Sequence, residues 1–402
     1  MEKFSTIVIG GGAAGLFFCA TAQTNNKILL LERNDRLGKK LSATGNGQGN
    51  LKITALAATP YFSSKKSGVE RAGGLVSRFD DRHIVAFFRA LGGAVVTDER
   101  GRVYPAGRQA SAITDLLRYR VQERGVEVRL GAFVKRIERS GEGFLVTAST
   151  AEGEKSFLGK TVLLCTGGKA AKNFGTDGNG YDLAKSFGHS VTPLFPSLVQ
   201  LKTDTRHTKG LKGLRVSDAV VSARVDGRLL AKVQGDLIFT DYGVSGDAIF
   251  RLSAFLGGKT DATLFVDLIP ALTKEELSKA LCAKRKAFPA LPESELFCGV
   301  LNNQLGRAVV KFVGEGDFER LASAAKSFPI AVTGSLGFDY AQVTKGGVPL
   351  DEVDEDLQSK KASGLYFAGE LLDVDGECGG FNLQWAYSSA MAVAAAIERR
   401  GV

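Results

Sequence analysis

The sequence has few of the residues that build metal sites or disulfide frameworks. Its 402 residues include five cysteines and three histidines, and no two cysteines are spaced as C-x-x-C. Such scattered thiols encode neither a zinc ribbon nor a set of disulfides, and three histidines without a helical pair argue against a histidine metal site. No window of about 18 residues is wholly apolar, and the amino terminus lacks the pattern of a signal peptide. We therefore expect a reduced, cytoplasmic protein without a membrane span.

Charge of either sign is not extreme, but basic residues are in excess. The chain has 52 basic and 43 acidic residues and a net charge of +9, which favours anionic ligands. Aromatic residues are not prominently interleaved with the basic ones, which argues against nucleic-acid binding. A hydrophobic content of 44% over this length predicts a large core and two or three domains.

Glycine is abundant, with 49 residues, and its first cluster follows a predicted strand. Residues 4–9 form an apolar, β-branched run that is typical of a buried parallel strand. Gly10, Gly12 and Gly15 then give the spacing G-x-G-x-x-G, and a second strand is predicted at residues 27–31. In a dinucleotide-binding turn these glycines allow the tight turn, the approach of the diphosphate and the close packing of the helix.

The residues around this turn complete the pattern. Ala13 and Ala14 begin the helix whose positive amino-terminal end meets the diphosphate. Glu32 closes the second strand, where a carboxylate accepts hydrogen bonds from the adenosine ribose and disfavours a 2′-phosphate. The motif alone leaves FAD and NAD as alternatives.

A second cluster follows at residues 42–50, in a run too rich in Gly, Asn and Ser to be core. Its position beyond the second strand places it toward the far end of a dinucleotide, where its backbone can face a flavin. No cysteine lies between Cys19 and Cys165, so thiol–disulfide chemistry at the flavin is not expected.

Two later clusters follow the same logic. Residues 160–168 resemble the strand end of flavoproteins with two dinucleotide domains, and residues 364–370 form another strand that ends in glycine. Gly379 and Gly380 precede a helix predicted at residues 383–399, and Asp373 suits a ribityl hydroxyl. No second strand–G-x-G-x-x-G–helix unit exists. We therefore expect one permanently bound FAD, with NADH or NADPH as a transient electron donor at most.

These motifs together resemble a bacterial family of FAD-binding oxidoreductases, known as YhiN-like, BaiN-like or aminoacetone-oxidase-like. The segments that carry the resemblance are residues 9–15, 37–41, 44–47, 101–105, 236–246, 367–376 and 379–384. One departure stands at residues 48–50, where Gln-Gly-Asn replaces the family's Arg-Cys-Asn and puts in doubt any mechanism that uses that Arg and Cys.

The resemblance implies an α/β fold, in which a Rossmann-like FAD-binding domain of the two-dinucleotide type is interrupted by an insert. The FAD-binding domain comprises residues 1–190 and 336–402, and the substrate-covering insert comprises residues 191–335, with a β-rich part to about 270 and a helical part from 271. The motifs and the resemblance give this set of FAD-binding residues: Gly10, Gly12, Ala13, Ala14, Gly15, Glu32, Arg33, Gly38, Lys39, Lys40, Thr44, Gly45, Asn46, Gly47, Asn50, Val134, Thr166, Gly167, Gly168, Gly369, Glu370, Asp373, Gly380, Asn382, Leu383 and Gln384.

The insert has its own local signals. Residues 220–232 form a predicted hairpin with an Asp-Gly turn. A helix is predicted from the capping residue Thr273 to residue 286, and residues 299–312 also favour a helix.

Within the family's chemistry, the expected activity is hydride transfer between flavin and a small organic substrate. One alternative is reduction or desaturation of a C=C bond conjugated to a carbonyl, as on a 3-oxo bile acid or steroid-like ring. Another is oxidation of an amine such as aminoacetone. Residues 200–232 have a net charge of +5, which favours an anionic substrate over a cationic amine. A non-catalytic or RNA-linked flavoprotein and a NAD-only dehydrogenase are further alternatives.

No catalytic residue or oligomeric state is assigned. Tyr242 is a candidate proton donor, Cys378 lies beside the glycines before the last helix, and Arg102 is a candidate anion ligand. Each has a structural alternative, namely packing for the first two and a salt bridge for Arg102.

Overall fold

The computed structural model describes residues 1–22, 27–53, 61–99, 101–141, 143–314 and 317–401. The chain forms two compact units. Unit 1 consists of Met1–Phe195 and Val343–Val402, and unit 2 consists of Pro196–Gln342. The boundaries expected from the sequence were residues 190 and 335.

The strands of the described ranges are β1 (Glu2–Ile9), β2 (Ile28–Leu31), β3 (Lys52–Ile53), β4 (Tyr61–Phe62), β5 (Val95–Thr97), β6 (Arg102–Pro105), β7 (Glu127–Arg129), β8 (Phe133–Ser140), β9 (Gly143–Thr150), β10 (Gly153–Leu164), β11 (Phe195–Ser197), β12 (Leu201–Thr203), β13 (Arg215–Val225), β14 (Arg228–Phe239), β15 (Gly243–Ser245), β16 (Thr263–Asp267), β17 (Phe328–Ser335), β18 (Val343–Lys345), β19 (Leu365–Phe367) and β20 (Asp375–Gly376). The helices are α1 (Ala13–Thr21), α2 (Lys66–Arg78), α3 (Asp81–Ala90), α4 (Ala110–Glu123), α5 (Asn179–Lys185), α6 (Asp247–Leu256), α7 (Lys274–Ala287), α8 (Asn303–Val313), α9 (Phe318–Lys326) and α10 (Phe381–Arg399).

Unit 1 is built on a seven-stranded sheet in the order β7-β2-β1-β10-β9-β8, with β19 also paired to β10. The strands β7, β2, β1, β10 and β19 run parallel, as expected for buried apolar runs that end in glycine. β10 changes partner along its length: residues 153–159 pair antiparallel with β9, and Val162–Leu164 pair parallel with β19. The mixed α/β class expected from the sequence is confirmed.

Glycine permits the close contact between β1, α1 and β10. Gly10 has φ +109°, and a Cβ there would lie 2.5 Å from the carbonyl oxygen of Cys165. A Cβ on Gly15 would collide with the carbonyl oxygen of Gly10. The Cys165 thiol fills the remaining space and donates to the carbonyls of Ile9 and Gly10 at 3.3 Å each, and burial raises its pKa.

Aromatic packing connects α1 with the carboxyl-terminal helix. The Phe17 ring meets Tyr387 edge-on at 5.1 Å and Phe88 at 5.9 Å. Trp385 is 1% exposed. α10 begins at Phe381, two residues before the predicted start, because Gly380 adopts φ +92° and acts as its N-cap.

Unit 2 contains a closed barrel in the order β12-β15-β14-β13-β16-β17. The predicted hairpin is confirmed as β13 and β14, joined by a turn in which Asp226 and Gly227 have φ +49° and +75°. The strand β17 lies in the stretch that the sequence assigned to helix, because it closes the barrel by pairing with β16 and β12. The barrel interior and the helices beside it share one apolar core.

The helices of unit 2 follow their local signals closely. Thr273 accepts from the Glu276 amide, and Glu276 accepts from the Thr273 amide, so the predicted cap of α7 is a full capping box. α8 begins at Asn303 rather than at 299, because the side chain of Asn302 caps it. Within the described ranges, no helix combines the length and apolar character needed to cross a bilayer.

A buried polar network joins the segment around His189 to the segment 352–359, beside β19. The His189 ring is buried against Phe367, at 4.8 Å between centroids. Its Nδ1 lies 2.9 Å from a Glu352 carboxylate oxygen, and its Nε2 lies 2.7 Å from the Ser359 hydroxyl. Burial lowers the pKa of His189. Burial alone would raise the pKa of Glu352, but hydrogen bonds from Ser190, Lys361 and His189 together outweigh it and hold that pKa at about 2.

This network predicts a stability that falls in acid. The lowered pKa of Glu352 means that its carboxylate stabilises the fold fully above the ordinary value of 4.5 and loses that contribution as pH falls toward about 2. Glu352→Gln should therefore lower the free energy of unfolding at pH 7 by about 2 kcal/mol. The gap between variant and wild type should close as pH falls from about 4.5 to 2, measured by denaturant titration. A gap independent of pH would show that the loss comes from packing and not from the charge.

Candidate functional site

The turn between β1 and α1 leaves a helix amino terminus open. Gly12 is the N-cap of α1, and no side chain caps this end of the helix. The first turn carries no acidic residue, and a Cβ built on Gly12 would meet nothing within 4 Å. Ala13 and Ala14 follow as the first helical residues. Unpaired N–H groups and the positive end of the helix dipole thus face open space, the arrangement that holds a diphosphate.

Glu32 lies at the end of β2, directly beside this turn. Its Oε2 accepts from the Gly11 amide at 2.7 Å, and its Oε1 accepts from the amide and the side-chain amide of Asn34 at 2.8 and 2.7 Å. The carboxylate is only 6% exposed. Oε1 already accepts two hydrogen bonds, whereas Oε2 accepts one and keeps a second acceptor site. Through Oε2 the carboxylate can receive a ribose hydroxyl while it holds the turn.

Arg33 and Val134 mark the outer edge of the same region. Arg33 pairs with Asp177 at 2.7 Å, and its guanidinium lies 4.7 Å from the centroid of the Phe133 ring. Val134 is buried in β8, where it pairs with Ala148.

The second glycine cluster forms a series of tight turns. Gly45, Asn46, Gly47 and Gly49 have φ values of +59°, +54°, +82° and +73°. A Cβ on Gly47 would meet nothing within 4 Å. The amides of Gly47, Gln48 and Gly49 donate to carbonyls within residues 43–45. The cluster therefore offers a ligand the open space over Gly47 and not a row of free amides. Thr44 donates to the Leu41 carbonyl and lies at the entrance to the series, and Asn50 follows it.

Two adjacent lysines between these clusters have different partners. Lys39 pairs with the exposed Asp35 at 2.7 Å. Lys40 reaches Glu370 at 2.8 Å, and both side chains of that pair are largely buried, at 24% and 18% exposed. Gly38 precedes them and donates its amide to the Gly11 carbonyl at 2.8 Å, so this segment is fixed to the first turn.

Glu370 also connects the third cluster with β18. Its Oε1 accepts from the Thr344 amide at 2.9 Å, and a Cβ on Gly168 would lie 2.7 Å from the same oxygen. The Thr344 hydroxyl accepts from the amides of Lys169 and Ala170, which hold the loop after Gly167. Gly167 has φ +75°.

Thr166, also in the third cluster, lies beside the first glycine turn. A Cβ on Gly10 would lie 2.9 Å from the Thr166 Cα, so the third cluster packs directly against the first.

Gly369 brings the carboxyl-terminal cluster to α1. It has φ +70°, and a Cβ there would stand 3.0 Å from the Cβ of Ala14. Its carbonyl accepts from the Trp385 indole at 3.0 Å, and its amide donates to the Ser389 hydroxyl at 2.9 Å. The structure therefore places the first, third and fourth clusters at one edge of the parallel sheet.

The other carboxyl-terminal residues are engaged mainly within the protein. Asn382 forms two hydrogen bonds of 2.8 Å with the backbone of Gly376, Gln384 donates to the Phe79 carbonyl at 2.7 Å, and Leu383 is buried. Gly380 leaves the amino terminus of α10 without a side-chain cap.

Asp373 keeps one oxygen unpartnered. It is 1% exposed, and its Oδ2 accepts from the Ser64 amide at 3.0 Å and the Ser63 hydroxyl at 3.3 Å. Its buried Oδ1 has no hydrogen-bond partner within the described residues. Buried polar atoms are normally satisfied, so this oxygen fits a ligand hydroxyl. Together with two uncapped helix ends and the acceptors of Glu32, it makes a set of groups that fits FAD.

The surroundings of the three catalytic candidates do not assign a catalytic role to any of them. Arg102 pairs with Asp98 at 2.8 Å across a hairpin, which favours its structural alternative. Tyr242 is partly buried in unit 2, and its carbonyl accepts from the Thr203 amide at 3.1 Å. Cys378 is partly exposed.

Sequence reasoning missed Thr344 and the pair Ser63–Ser64. Neither stands in a glycine cluster, and their partners are 26 and more than 300 residues away in sequence. Gly346 and Gly347 were the one local signal near Thr344.

Comparisons with known proteins agree with this geometry. A family model described as the HI0933-like protein Rossmann domain matches residues 4–396. A 3-dehydro-bile acid Δ(4,6)-reductase of Clostridium scindens is 34% identical over 98% of both chains, and a ribosomal RNA dihydrouridine synthase of Escherichia coli is 28% identical over 98% of both. Among solved structures, a 3-ketosteroid Δ1-dehydrogenase of Sterolibacterium denitrificans superposes over the full length of both chains with a TM-score of 0.54 at 12% identity, which shows a shared fold.

Two glycine substitutions separate ligand binding from folding. Gly12→Ala adds a methyl group to open space in extended backbone, so the fold should persist while FAD binding weakens about tenfold or more. Gly15→Ala drives a methyl group into the Gly10 carbonyl and should lower the unfolding temperature itself. The flavin-to-protein absorbance ratio and the thermal unfolding temperature measure the two effects. Full flavin content in Gly12→Ala would remove Gly12 from the diphosphate site.

The adjacent lysines provide a matched pair of variants. Lys40→Met leaves the largely buried Glu370 carboxylate without its cation and should cost about 1–2 kcal/mol of unfolding free energy. Lys39→Met removes a cation whose partner is 79% exposed and should cost less than about 0.5 kcal/mol. Denaturant titration with excess FAD compares the two. Equal costs would show that Glu370 does not depend on Lys40.

Proposed function

Because this chain belongs to the HI0933-like Rossmann family and is an FAD-dependent oxidoreductase, we propose that it reduces a C=C bond conjugated to a carbonyl. The observation that carries this proposal is the reaction shared by two whole-length relatives with different substrates. The Δ4 and Δ6 bonds of a 3-dehydro bile acid are conjugated to its 3-oxo group. Dihydrouridine is uridine whose C5–C6 double bond, conjugated to the C4 carbonyl, has been saturated.

FAD, when bound and reduced, supplies a hydride equivalent that the electron-poor carbon of such a bond accepts. The protein's task is therefore to hold the cofactor and orient the acceptor. Gly12 and the first turn of α1 would hold the diphosphate, and Glu32 would hold the adenosine ribose. The Oδ1 of Asp373, which has no partner among the described residues, would receive a ribityl hydroxyl.

The lining of the flavin end favours negative charge that develops during reduction. Gly380 leaves the positive end of α10 uncapped, with no acidic residue in its first turn. Lys40 neutralises Glu370, so this carboxylate does not oppose the charge.

The substrate we favour first is a 3-oxo bile acid or steroid-like enone, with NADH or NADPH as the electron donor. Support comes from the reductase relative at 34% identity and from the net charge of +9, which suits an anionic substrate. The bile-acid reductase and the dihydrouridine synthase are both named for saturation of a double bond, so amine oxidation is not proposed. A uridine in RNA is the second candidate, favoured by the distribution of charge on unit 2 that is described below.

Anaerobic spectroscopy tests the proposal directly. NADH or NADPH should bleach the visible flavin absorbance, and a 3-oxo-4-ene bile acid should restore it with formation of the saturated product. The matched control is the saturated 3-oxo bile acid, which offers no double bond and should leave the flavin reduced.

Two outcomes would contradict the proposal. Bleaching by aminoacetone and not by nicotinamides would identify an amine oxidase. Reduced flavin that no conjugated C=C compound reoxidises, uridine-containing RNA included, would reject reduction of this bond class.

A further inference from the structure

One outer face of the unit 2 barrel carries a group of basic residues around an aromatic ring. Along β13 the residues alternate, so that Val221 and Ala223 are buried in the barrel while Ser222 and Arg224 face outward. The register places Lys232 and Phe265 on either side of Ser222 in one row, and Arg224 stands in the next row. Together with Arg228 at the turn, the residues Arg224, Lys232 and Phe265 define what we call the basic hairpin face.

The cations of this face differ from their neighbours in having no acidic partner. Elsewhere on the barrel, Arg215 pairs with Asp236 at 2.5 Å and Lys212 pairs with Asp241 at 2.8 Å. Arg224, Arg228 and Lys232 are exposed and form no ion pair with any described residue. A paired cation is largely neutralised, whereas an unpaired one attracts an external anion.

An aromatic and guanidinium platform lies in the middle of these charges. The Arg224 guanidinium stands 5.4 Å from the centroid of the Phe265 ring, which is partly exposed. Leu229, opposite Arg224, is 58% exposed, and Leu230 beside it is 37% exposed. Flat aromatic and guanidinium groups beside unpaired cations suit a ligand that has both phosphates and planar bases.

We propose that the basic hairpin face binds single-stranded RNA, with phosphates on Arg224, Arg228 and Lys232 and a base stacked against the Arg224–Phe265 pair. The inference rests on the proposed function through its second candidate substrate, a uridine in RNA. An acidic protein would match the charges but has no bases to stack on the ring, and a single small carboxylate needs fewer cations than this face presents.

Salt-dependent binding tests the charges. Fluorescence anisotropy with a short labelled oligouridylate should show binding that weakens with salt. In the double variant Arg224→Gln/Lys232→Gln, the slope of log affinity against log salt should become shallower by about 1.4, the value for two lost phosphate contacts on a single strand. The matched control Lys212→Gln/Arg215→Gln removes the same charge from paired cations and should keep the wild-type slope. If the slope changed equally in both double variants, net charge alone would explain the effect, and the proposal would be overturned.

Stacking has its own test. Phe265→Leu keeps the charge and an apolar side chain, and it should weaken oligouridylate binding by about fivefold or more. The affinity for polyglutamate should be the same in wild type and variant. If wild type binds polyglutamate as tightly as RNA and Phe265→Leu changes neither, an acidic partner replaces RNA as the occupant.

The small enone assay separates this inference from the proposed function. The variants Arg224→Gln/Lys232→Gln and Phe265→Leu should lose RNA binding. Both should still reduce a 3-oxo-4-ene bile acid at the wild-type rate. A wild-type protein that reduces the enone but does not bind oligouridylate overturns the RNA inference alone. A protein that binds RNA through this face but reduces no conjugated C=C bond overturns the proposed function and leaves the face established.

Discussion

The close contact between the first glycine turn and the neighbouring strand β10 determines where the amino terminus of α1 lies in unit 1. α1 can approach β1 only because Gly15 has no side chain to strike the Gly10 carbonyl, and Gly10 itself lies against Cys165 of the next parallel strand. This approach points the amino terminus of α1 at the carboxyl edge of the sheet. A larger side chain at either glycine would move the amino terminus of α1, which we propose as the diphosphate site.

The same edge gathers residues that are far apart in the chain. Lys40 and Glu370 are 330 positions apart, yet they form one largely buried ion pair. Gly369 meets Ala14 at the side of α1, and the Trp385 indole holds its carbonyl. Because parallel strands end at a common edge, β1, β10 and β19 deliver their loops to one place, and the site is complete only when the carboxyl-terminal segment has joined the sheet.

Local chemistry explains what could be predicted from the sequence. The first turn, the Asp226–Gly227 hairpin and the cap at Thr273 each depend on a few adjacent residues, and the structure confirms all three. The clasp of Asp373 by Ser63 and Ser64, the contact of Thr344 with Glu370 and the closure of the barrel by β17 depend on pairings between distant segments. No spacing within one segment reports such pairings, and the role of Asp373 toward a ligand stays a prediction.

The reaction that we propose and the surface that we propose for RNA make different demands on the protein. The proposed reduction of a conjugated double bond asks little of the protein beyond cofactor geometry and compensation of charge. Unit 1 contains two helix amino termini without side-chain caps that suit both demands. A bile acid presents one carboxylate, whereas RNA presents a phosphate at every nucleotide and a planar base beside it. Three unpaired cations around the Arg224–Phe265 stack match the pattern of RNA, which is why we propose RNA as the ligand of this face.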